Sequence, residues 1–173
     1  PNDYHPITPA EYSNGNEQMH VQTGIERRSL FLSSDYALSD QITFTTDIDS
    51  DLIKKADLVI EAVFEDMKVK RETFAKLEER CRPDTIFCTN TSVMSPSEIS
   101  RDLKYRERFV GTHFWNPGHL IPLVEVVKSN VTEDWVMDET MELMASCGKK
   151  PIYCKKDVPG FIANRMQHAL WRE

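Results

Sequence analysis

The chain has 173 residues, with 21 basic and 28 acidic side chains and a formal net charge of −7 at pH 7. Such an acidic chain offers no broad basic surface to a phosphate backbone, so we expect no nucleic-acid partner. The longest apolar run, near Leu120 to Val127, contains Pro122 and Glu125 and is too short to span a bilayer, so no membrane partner is expected. The length is that of one domain with a sizeable core.

The four cysteines form no CxxC pair. We therefore expect reduced, mostly structural thiols in a reducing compartment, which favours a cytoplasmic location. A transit peptide stays open as an alternative, because the chain begins at Pro1 without a methionine. No two of the five histidines have the close helical spacing of a metal-ligand pair, so no metal site is predicted.

Residues 1–40 form a polar segment whose start is rich in proline and asparagine. This composition predicts a poorly ordered or irregular N-terminal segment. Within it, Gly24 to Leu38 carries apolar residues at a spacing that permits a helix, although several serines weaken that interpretation.

From residue 41 onward, short apolar segments alternate with helical patterns at the spacing of βαβ units. This alternation predicts an α/β fold with a mainly parallel sheet and flanking helices. The predicted strands are Ile42–Thr45, Leu58–Ala62, Thr85–Cys88, Phe109–His113, Leu123–Val127 and Lys150–Cys154. The predicted helices are Ser50–Lys55, Asp66–Cys81, one beginning at the capping box Ser95–Glu98, Asp134–Cys147, and one opening at Gly160.

A histidine and a glutamate lie in the two strands that flank the turn Asn116-Pro117-Gly118. A neutral imidazole at His113 can accept a proton near neutral pH, and a carboxylate such as Glu125 can fix its tautomer and stabilise the imidazolium. This pattern indicates acid/base chemistry. The alternative is a hydrogen-bonded strand histidine beside a solvated carboxylate.

Other polar residues follow the predicted parallel strands directly. Glu65 comes soon after the strand that ends at Ala62, Asn90 and Ser92 follow the next strand, and Asn116 lies beyond His113. A doubly wound sheet binds its ligands beyond the carboxyl ends of its strands, so these side chains are candidates for one binding site.

Four motifs in a fixed order, from about Ile42 to the C-terminus, resemble the 3-hydroxyacyl-CoA dehydrogenase family. They are DLVIEAVFEDMKVKRETF, TNTS, HFWNP followed by LVEV, and DVPGFIANR. The resemblance implies a Rossmann-like doubly wound sheet, NAD as the cofactor, an acyl-CoA thioester as the substrate, and a homo-oligomer, a dimer in the full-length protein. It divides the chain into a partial dinucleotide-binding domain at residues 41–157 and the start of a C-terminal helical domain at residues 158–173.

The resemblance also assigns expected roles to individual residues. His113 would be the catalytic base and Glu125 its partner, while Ser92 and Asn164 would hydrogen-bond the substrate oxygen. The nicotinamide end of the cofactor would be lined by Ala62, Glu65, Lys70, Asn90, Ser92 and Asn116. Ordinary explanations are a solvated helix charge for Lys70, a turn residue for Ser92 and a helix-surface amide for Asn164.

The sequence departs from the family pattern in two respects. Its six glycines nowhere form GxGxxG, the turn that brings backbone close to a pyrophosphate. We therefore expect an incomplete doubly wound sheet, in a fragment or the product of a rearranged gene, that binds NAD weakly or not at all by itself. Its exposed edge strand would be Leu58–Ala62 or a neighbour, which favours self-association.

Trp115 and His119 also differ from the commoner family pattern. One alternative substrate is accordingly a free 3-hydroxy acid such as carnitine or gulonate, because LIPLVEV is similar to relatives that oxidise such acids. A second alternative is a non-catalytic binding or assembly module derived from the same fold.

Overall fold

The structure is a computed structural model that describes residues 43 and 45–172, and the backbone of residues 19–23 and 26–30. The chain forms two compact units, Pro1–Asp47 and Ile48–Glu173. In the described part of the chain, no helix has the length and apolar character needed to cross a membrane.

The first unit contains an antiparallel hairpin of β1, Met19–Thr23, and β2, Glu26–Leu30, with Met19 opposite Leu30. The helix predicted over Gly24 to Leu38 is therefore wrong for Glu26–Leu30, and residues 31–38 lie outside the described residues. The missed signal is a strand-like alternation of apolar and polar residues over Met19–Thr23, followed after two residues, the first of them glycine, by the second strand.

Most of the remaining N-terminal segment lies outside the described residues, so its predicted irregularity stays a prediction. The strand predicted over Ile42–Thr45 falls partly on such residues as well. Thr43 and Thr45, which are described, lie in no strand.

The second unit contains a five-stranded sheet in the order β3-β4-β5-β6-β7. The pairs β3–β4, β4–β5 and β6–β7 are parallel, and only β5–β6 is antiparallel, which confirms the predicted, mainly parallel sheet. Within this sheet β3 is an edge strand, as expected for Leu58–Ala62. The strands are β3, Leu58–Glu61; β4, Ile86–Thr89; β5, Phe109–Phe114; β6, Leu123–Lys128; and β7, Lys150–Cys154.

The five predicted helices of this unit all occur. Asp66 caps α2 by accepting a hydrogen bond from the Val69 amide at 3.0 Å, and Ser95 caps α3 by accepting one from the Glu98 amide at 3.2 Å. The helices are α1, Asp51–Lys54; α2, Met67–Arg80; α3, Pro96–Ile99; α4, Asp134–Ser146; and α5, Ala163–Leu170. A short 3₁₀ helix, Arg106–Arg108, precedes β5.

The central strand β4 is buried on both faces of the sheet, to which its successive residues point in alternation. In β4, Ile86 and Cys88 pack in a cluster with Met137 and Met144 of α4, whereas Phe87 packs with Phe74 of α2. The two methionines are thus core residues. The four cysteines are unpaired, as expected, and Cys88 and Cys154 are buried.

Aromatic rings join α2 to the sheet. The Phe74 ring lies edge-on to Phe109, with 4.6 Å between ring centroids, and to Phe87 at 5.8 Å. Phe74 is 0% exposed, so its ring is fully enclosed by this cluster. These contacts fix the helix that carries Lys70 against the strands that carry the polar candidates.

We expect Phe74→Ala to lower the free energy of unfolding by about 3–5 kcal/mol, because the substitution removes buried ring contacts and leaves a cavity. Urea unfolding followed by circular dichroism measures the loss. Phe64→Ala is the matched control, because Phe64 is 79% exposed and its removal should change stability by no more than about 0.5 kcal/mol. Equal losses in the two variants would contradict the packing described.

Candidate active site

The centre of the site is a hydrogen-bonded pair on neighbouring strands. His113 of β5 and Glu125 of β6 are direct partners in the antiparallel register, so their side chains lie on the same face. The distance from His113 Nδ1 to Glu125 Oε2 is 2.8 Å. His113 is 5% exposed and Glu125 is 0% exposed, which excludes the interpretation of Glu125 as a solvated carboxylate.

The second imidazole nitrogen faces a hydroxyl. Nε2 of His113 lies 3.1 Å from Oγ of Ser92, in the loop that follows β4. An ionised carboxylate can only accept, so Nδ1 carries the proton in the His113–Glu125 bond and Nε2 of the neutral ring is the acceptor. Ser92 is exposed, so this basic nitrogen lies beside a solvent-accessible group.

Glu125 accepts hydrogen bonds at both of its oxygens. The amides of Ile162 and Ala163 donate to Oε1 at 2.9 and 3.0 Å, and the indole Nε1 of Trp115 donates to Oε2 at 3.2 Å, beside the bond from His113. Burial alone would raise the pKa of the Glu125 carboxyl, but these four donors outweigh it and lower the pKa to about 2. Glu125 is therefore a fixed negative charge at neutral pH.

The two backbone amides reach Glu125 through an unusual turn before α5. Gly160 and Phe161 have positive φ angles of 76° and 48°, the left-handed region that costs a residue other than glycine on the order of 1 kcal/mol. Phe161 is buried, and its ring centroid lies 5.8 Å from that of His113. The turn therefore both supplies donors to the carboxylate and covers one side of the imidazole.

Asn164 completes the group of predicted catalytic residues. It lies in the first turn of α5, and its Nδ2 donates to the backbone carbonyl of Ser92 at 3.2 Å. The structure thus brings Ser92, His113, Glu125 and Asn164 together, although they come from a loop, two strands and a helix.

A second cluster of charges lies at the end of β3. Lys70 of α2 is 0% exposed, and its Nζ lies 2.8 Å from Oε1 of Glu61 and 3.2 Å from Oε2 of Glu65. Thr89 donates to Glu61 at 2.7 Å, and Thr91 donates to Glu65. Lys70 is therefore a buried charge held by two carboxylates, not a solvated helix charge.

Glu61 was missed in the sequence. The available signal was a carboxylate inside the apolar segment LVIEA, since a charge buried in a strand requires a partner of opposite charge. The lysine nine residues later, at Lys70, was the obvious candidate for that partner.

The remaining candidates lie at the same ends of the strands. The Asn90 side chain accepts a hydrogen bond from the Phe114 amide at 3.1 Å, and the Asn90 amide donates to the Glu61 carbonyl at 2.9 Å. Ala62 is exposed directly after β3. Asn116 is exposed in the turn between β5 and β6, where its peptide bond to Pro117 is cis. Over the described residues, no three histidine, cysteine or acidic side chains are grouped as a metal site would require.

A family model described as "3-hydroxyacyl-CoA dehydrogenase, NAD binding domain" matches residues 7–158. The chain belongs to this family. The match begins well before Ile42, so the resemblance to 3-hydroxyacyl-CoA dehydrogenases extends further toward the N-terminus than the motifs indicated.

One relative is named as a 3-hydroxyacyl-CoA dehydrogenase and another as a pyridine-carboxylate dehydrogenase. A probable 3-hydroxyacyl-CoA dehydrogenase from Caenorhabditis elegans is 41% identical over 127 residues, which cover 73% of this chain and 40% of that protein. The 5-formyl-3-hydroxy-2-methylpyridine 4-carboxylate 5-dehydrogenase of Mesorhizobium japonicum is 38% identical over 132 residues, covering 76% of this chain and 42% of that protein. The chain thus spans about two fifths of the length of these relatives.

The fold comparison gives the same family. The crystal structure of 3-hydroxybutyryl-CoA dehydrogenase from Escherichia coli K12 superposes with a TM-score of 0.69 at 42% identity, over 74% of this chain and 27% of that chain. This similarity confirms the predicted Rossmann-like fold class of the chain.

The residues of the second cluster fit NAD, the cofactor of the 3-hydroxyacyl-CoA dehydrogenase family. Glu61 and Glu65 outweigh the single charge of Lys70, so the cluster carries a net negative charge that suits the cationic nicotinamide ring of the oxidised cofactor. Glu65 and Asn90 are partly exposed and offer polar groups to amide or hydroxyl functions, and the small side chain of Ala62 leaves room beside them.

Glu125→Gln should change how stability depends on pH. The folded pKa near 2 lies below the ordinary value of 4.5, so the contribution of Glu125 is complete above about pH 4.5 and is lost as pH falls toward 2. We expect the wild type to lose on the order of 3 kcal/mol over this range relative to the Gln variant. Urea unfolding at a series of pH values measures the difference.

The matched control is Glu139→Gln, which removes an exposed carboxylate from α4. This variant should follow the wild-type pH dependence. A Glu125→Gln variant whose stability runs parallel to the wild type from pH 5 to pH 2 would show that the native carboxyl is not held ionised.

Proposed function

We propose that this chain is the catalytic part of an NAD-dependent 3-hydroxyacyl-CoA dehydrogenase, which oxidises the C3 hydroxyl of an acyl-CoA thioester. The observation that carries the proposal is the buried His113–Glu125 pair, in which the unprotonated Nε2 of His113 faces the accessible hydroxyl of Ser92. Membership in the dehydrogenase family supplies the reaction class.

The proposed base is His113. Its Nε2 takes the proton of the C3 hydroxyl, and the negative charge of Glu125 stabilises the imidazolium that results. Bound NAD would supply the hydride acceptor, so that loss of a proton to His113 and of a hydride from C3 would convert the alcohol to a ketone. The Nδ1 bond to Glu125 keeps the ring oriented throughout, so that the proton transfer needs no rotation of the side chain.

Ser92 and Asn164 are proposed to position the substrate oxygen. The Ser92 hydroxyl lies within hydrogen-bonding distance of Nε2, so a substrate hydroxyl that reaches the base also meets this serine. Asn164 holds the Ser92 carbonyl and thereby ties the loop after β4 to α5. Fixed polar groups of this kind stabilise charge that develops on the reacting oxygen.

The proposed cofactor side of the site consists of residues at the ends of β3, β4 and β5. Lys70 supplies a buried ammonium group, and Glu65 and Asn90 supply partly exposed polar groups. With these three we group Ala62, Ser92 and Asn116. The dimer expected for the full-length protein stays a proposal of the same kind.

Oxidation of a free 3-hydroxy acid, such as carnitine or gulonate, is the second candidate. The name of the Mesorhizobium japonicum relative gives a pyridine carboxylate rather than a CoA thioester. Trp115, which contacts the catalytic pair, is one of the positions where the chain departs from the commoner pattern.

A non-catalytic module is the third candidate, supported by the lack of GxGxxG in the sequence. The buried charges argue against it. Replacing a buried ion pair by apolar side chains is often neutral or stabilising, so two such clusters are poorly explained by stability alone.

His113→Gln should lower turnover by about 10²- to 10⁴-fold, because the variant keeps a polar side chain but loses the base. NADH formation from a 3-hydroxyacyl-CoA, measured with the whole polypeptide that carries this sequence, gives the rate. His168→Gln is the matched control, since His168 is an exposed residue of α5 that contacts Trp171. Its rate should stay close to wild type, and an intact rate in His113→Gln would refute the assignment of the base.

Substrate class is tested in the reducing direction with acetoacetyl-CoA and free 3-keto acids. We expect kcat/KM to be higher for acetoacetyl-CoA. A preference for a free acid would replace the acyl-CoA assignment by the second candidate, and lack of turnover with both would favour the non-catalytic module.

A further inference from the structure

Trp115 shares a carboxylate oxygen with the catalytic histidine. Its indole Nε1 donates to Oε2 of Glu125 at 3.2 Å, and Nδ1 of His113 donates to the same oxygen at 2.8 Å. The ring centroids of Trp115 and His113 are 5.5 Å apart. Trp115 is half-buried and lies directly after β5, so the indole is held beside the pair without being enclosed by the core.

We propose that Trp115 is a positioning residue that weakens the hold of Glu125 on the His113 proton and thereby sets the lower pH limit of catalysis. The inference rests on the proposed function, because it treats His113 as the base. It concerns the contact of Trp115 with Glu125 and not the His113–Glu125 pair itself.

The physical reason is competition for one oxygen. A carboxylate that receives several hydrogen bonds is a weaker acceptor for each of them, and the indole is a donor that the imidazole must share. The amides of Ile162 and Ala163 occupy Oε1, so that oxygen offers His113 no alternative. Without the indole, more of the negative charge of Oε2 would act on His113, and the imidazolium would persist to higher pH.

Apart from Glu125, the groups named here around His113 add no charge that would compete with the effect of Trp115. Glu125 faces His113 from β6 as a charge, because its hydrogen bonds hold its pKa down. From β7, burial and the Glu125 charge raise the pKa of the Cys154 thiol to about 12, so this group stays neutral. The loop after β4 contributes the Ser92 hydroxyl, and the turn before α5 contributes the Phe161 ring and two amides.

The decisive variant is Trp115→Phe, which keeps an aromatic ring and removes the N–H donor. We expect the acid limb of the pH profile of kcat/KM, measured for alcohol oxidation with the whole polypeptide, to move to higher pH by about 0.5–1 unit. Trp135→Phe is the matched control, because the Trp135 indole is exposed on α4 and donates to Glu133. Its acid limb should coincide with that of the wild type.

A purely structural role for Trp115 predicts a different result. Looser packing would lower kcat by the same factor at every pH and leave the acid limb in place, and that outcome would overturn the proposal. A shift of the acid limb to lower pH would also overturn it.

A readout independent of turnover separates this proposal from the proposed function. The Nδ1–H proton of His113 gives a downfield NMR resonance, identified by its loss in His113→Gln. In Trp115→Phe the bond to Glu125 strengthens, so the resonance should move further downfield. An unmoved resonance would refute the role of Trp115, whereas a downfield shift in a protein without dehydrogenase activity would support it and reject only the proposed function.

Discussion

The rest of the site depends on one buried carboxylate. Glu125 lies in the interior of the sheet and is ionised there, which is possible because its oxygens receive four hydrogen bonds. Its donors come from β5, from the turn that follows it and from the start of α5. Because a charge in this environment tolerates no missing partner, the carboxylate fixes the relative positions of those three parts. The orientation of the imidazole is one result of this constraint.

The two buried charge clusters are connected through Asn90. Its amide donates to the carbonyl of Glu61 at the end of β3, and its side chain accepts from the Phe114 amide, next to His113 in β5. The parallel direction of β3, β4 and β5 brings the carboxyl ends of these strands to one edge of the sheet. Asn90 therefore links the proposed cofactor side to the strand that carries the proposed base. The residues proposed to bind the cofactor and the proposed base therefore lie at the same edge of the sheet.

Much of this arrangement can be predicted from the sequence, because the spacing of apolar residues, the helix-capping residues and the turn residues are local signals. The helices α2 and α3 follow from Asp66 and Ser95, and the pairing of His113 with Glu125 follows from two strands around one turn. Contacts between distant segments were not predictable in this way. The two amides that bind Glu125 belong to the backbone, so the identity of the residues does not reveal them. Their position depends on the left-handed conformation of Phe161. The β1–β2 hairpin was missed for a different reason, since the apolar residues from Gly24 to Leu38 also have a spacing that permits a helix.

The turn before α5 also determines where this protein can be divided. The resemblance to the family predicted a domain boundary between residues 157 and 158, with the sheet and the following helix in separate domains. Asp157, however, accepts hydrogen bonds from the Ser95 hydroxyl and the Ser97 amide, and the next few residues supply the amides that hold Glu125. A chimera joined at that boundary would inherit the buried Glu125 carboxylate from one parent and half of the hydrogen bonds to it from the other. To preserve the site, a recombination crossover has to lie after Asn164, within α5. A crossover between residues 157 and 158 would separate Glu125 from two of its donors.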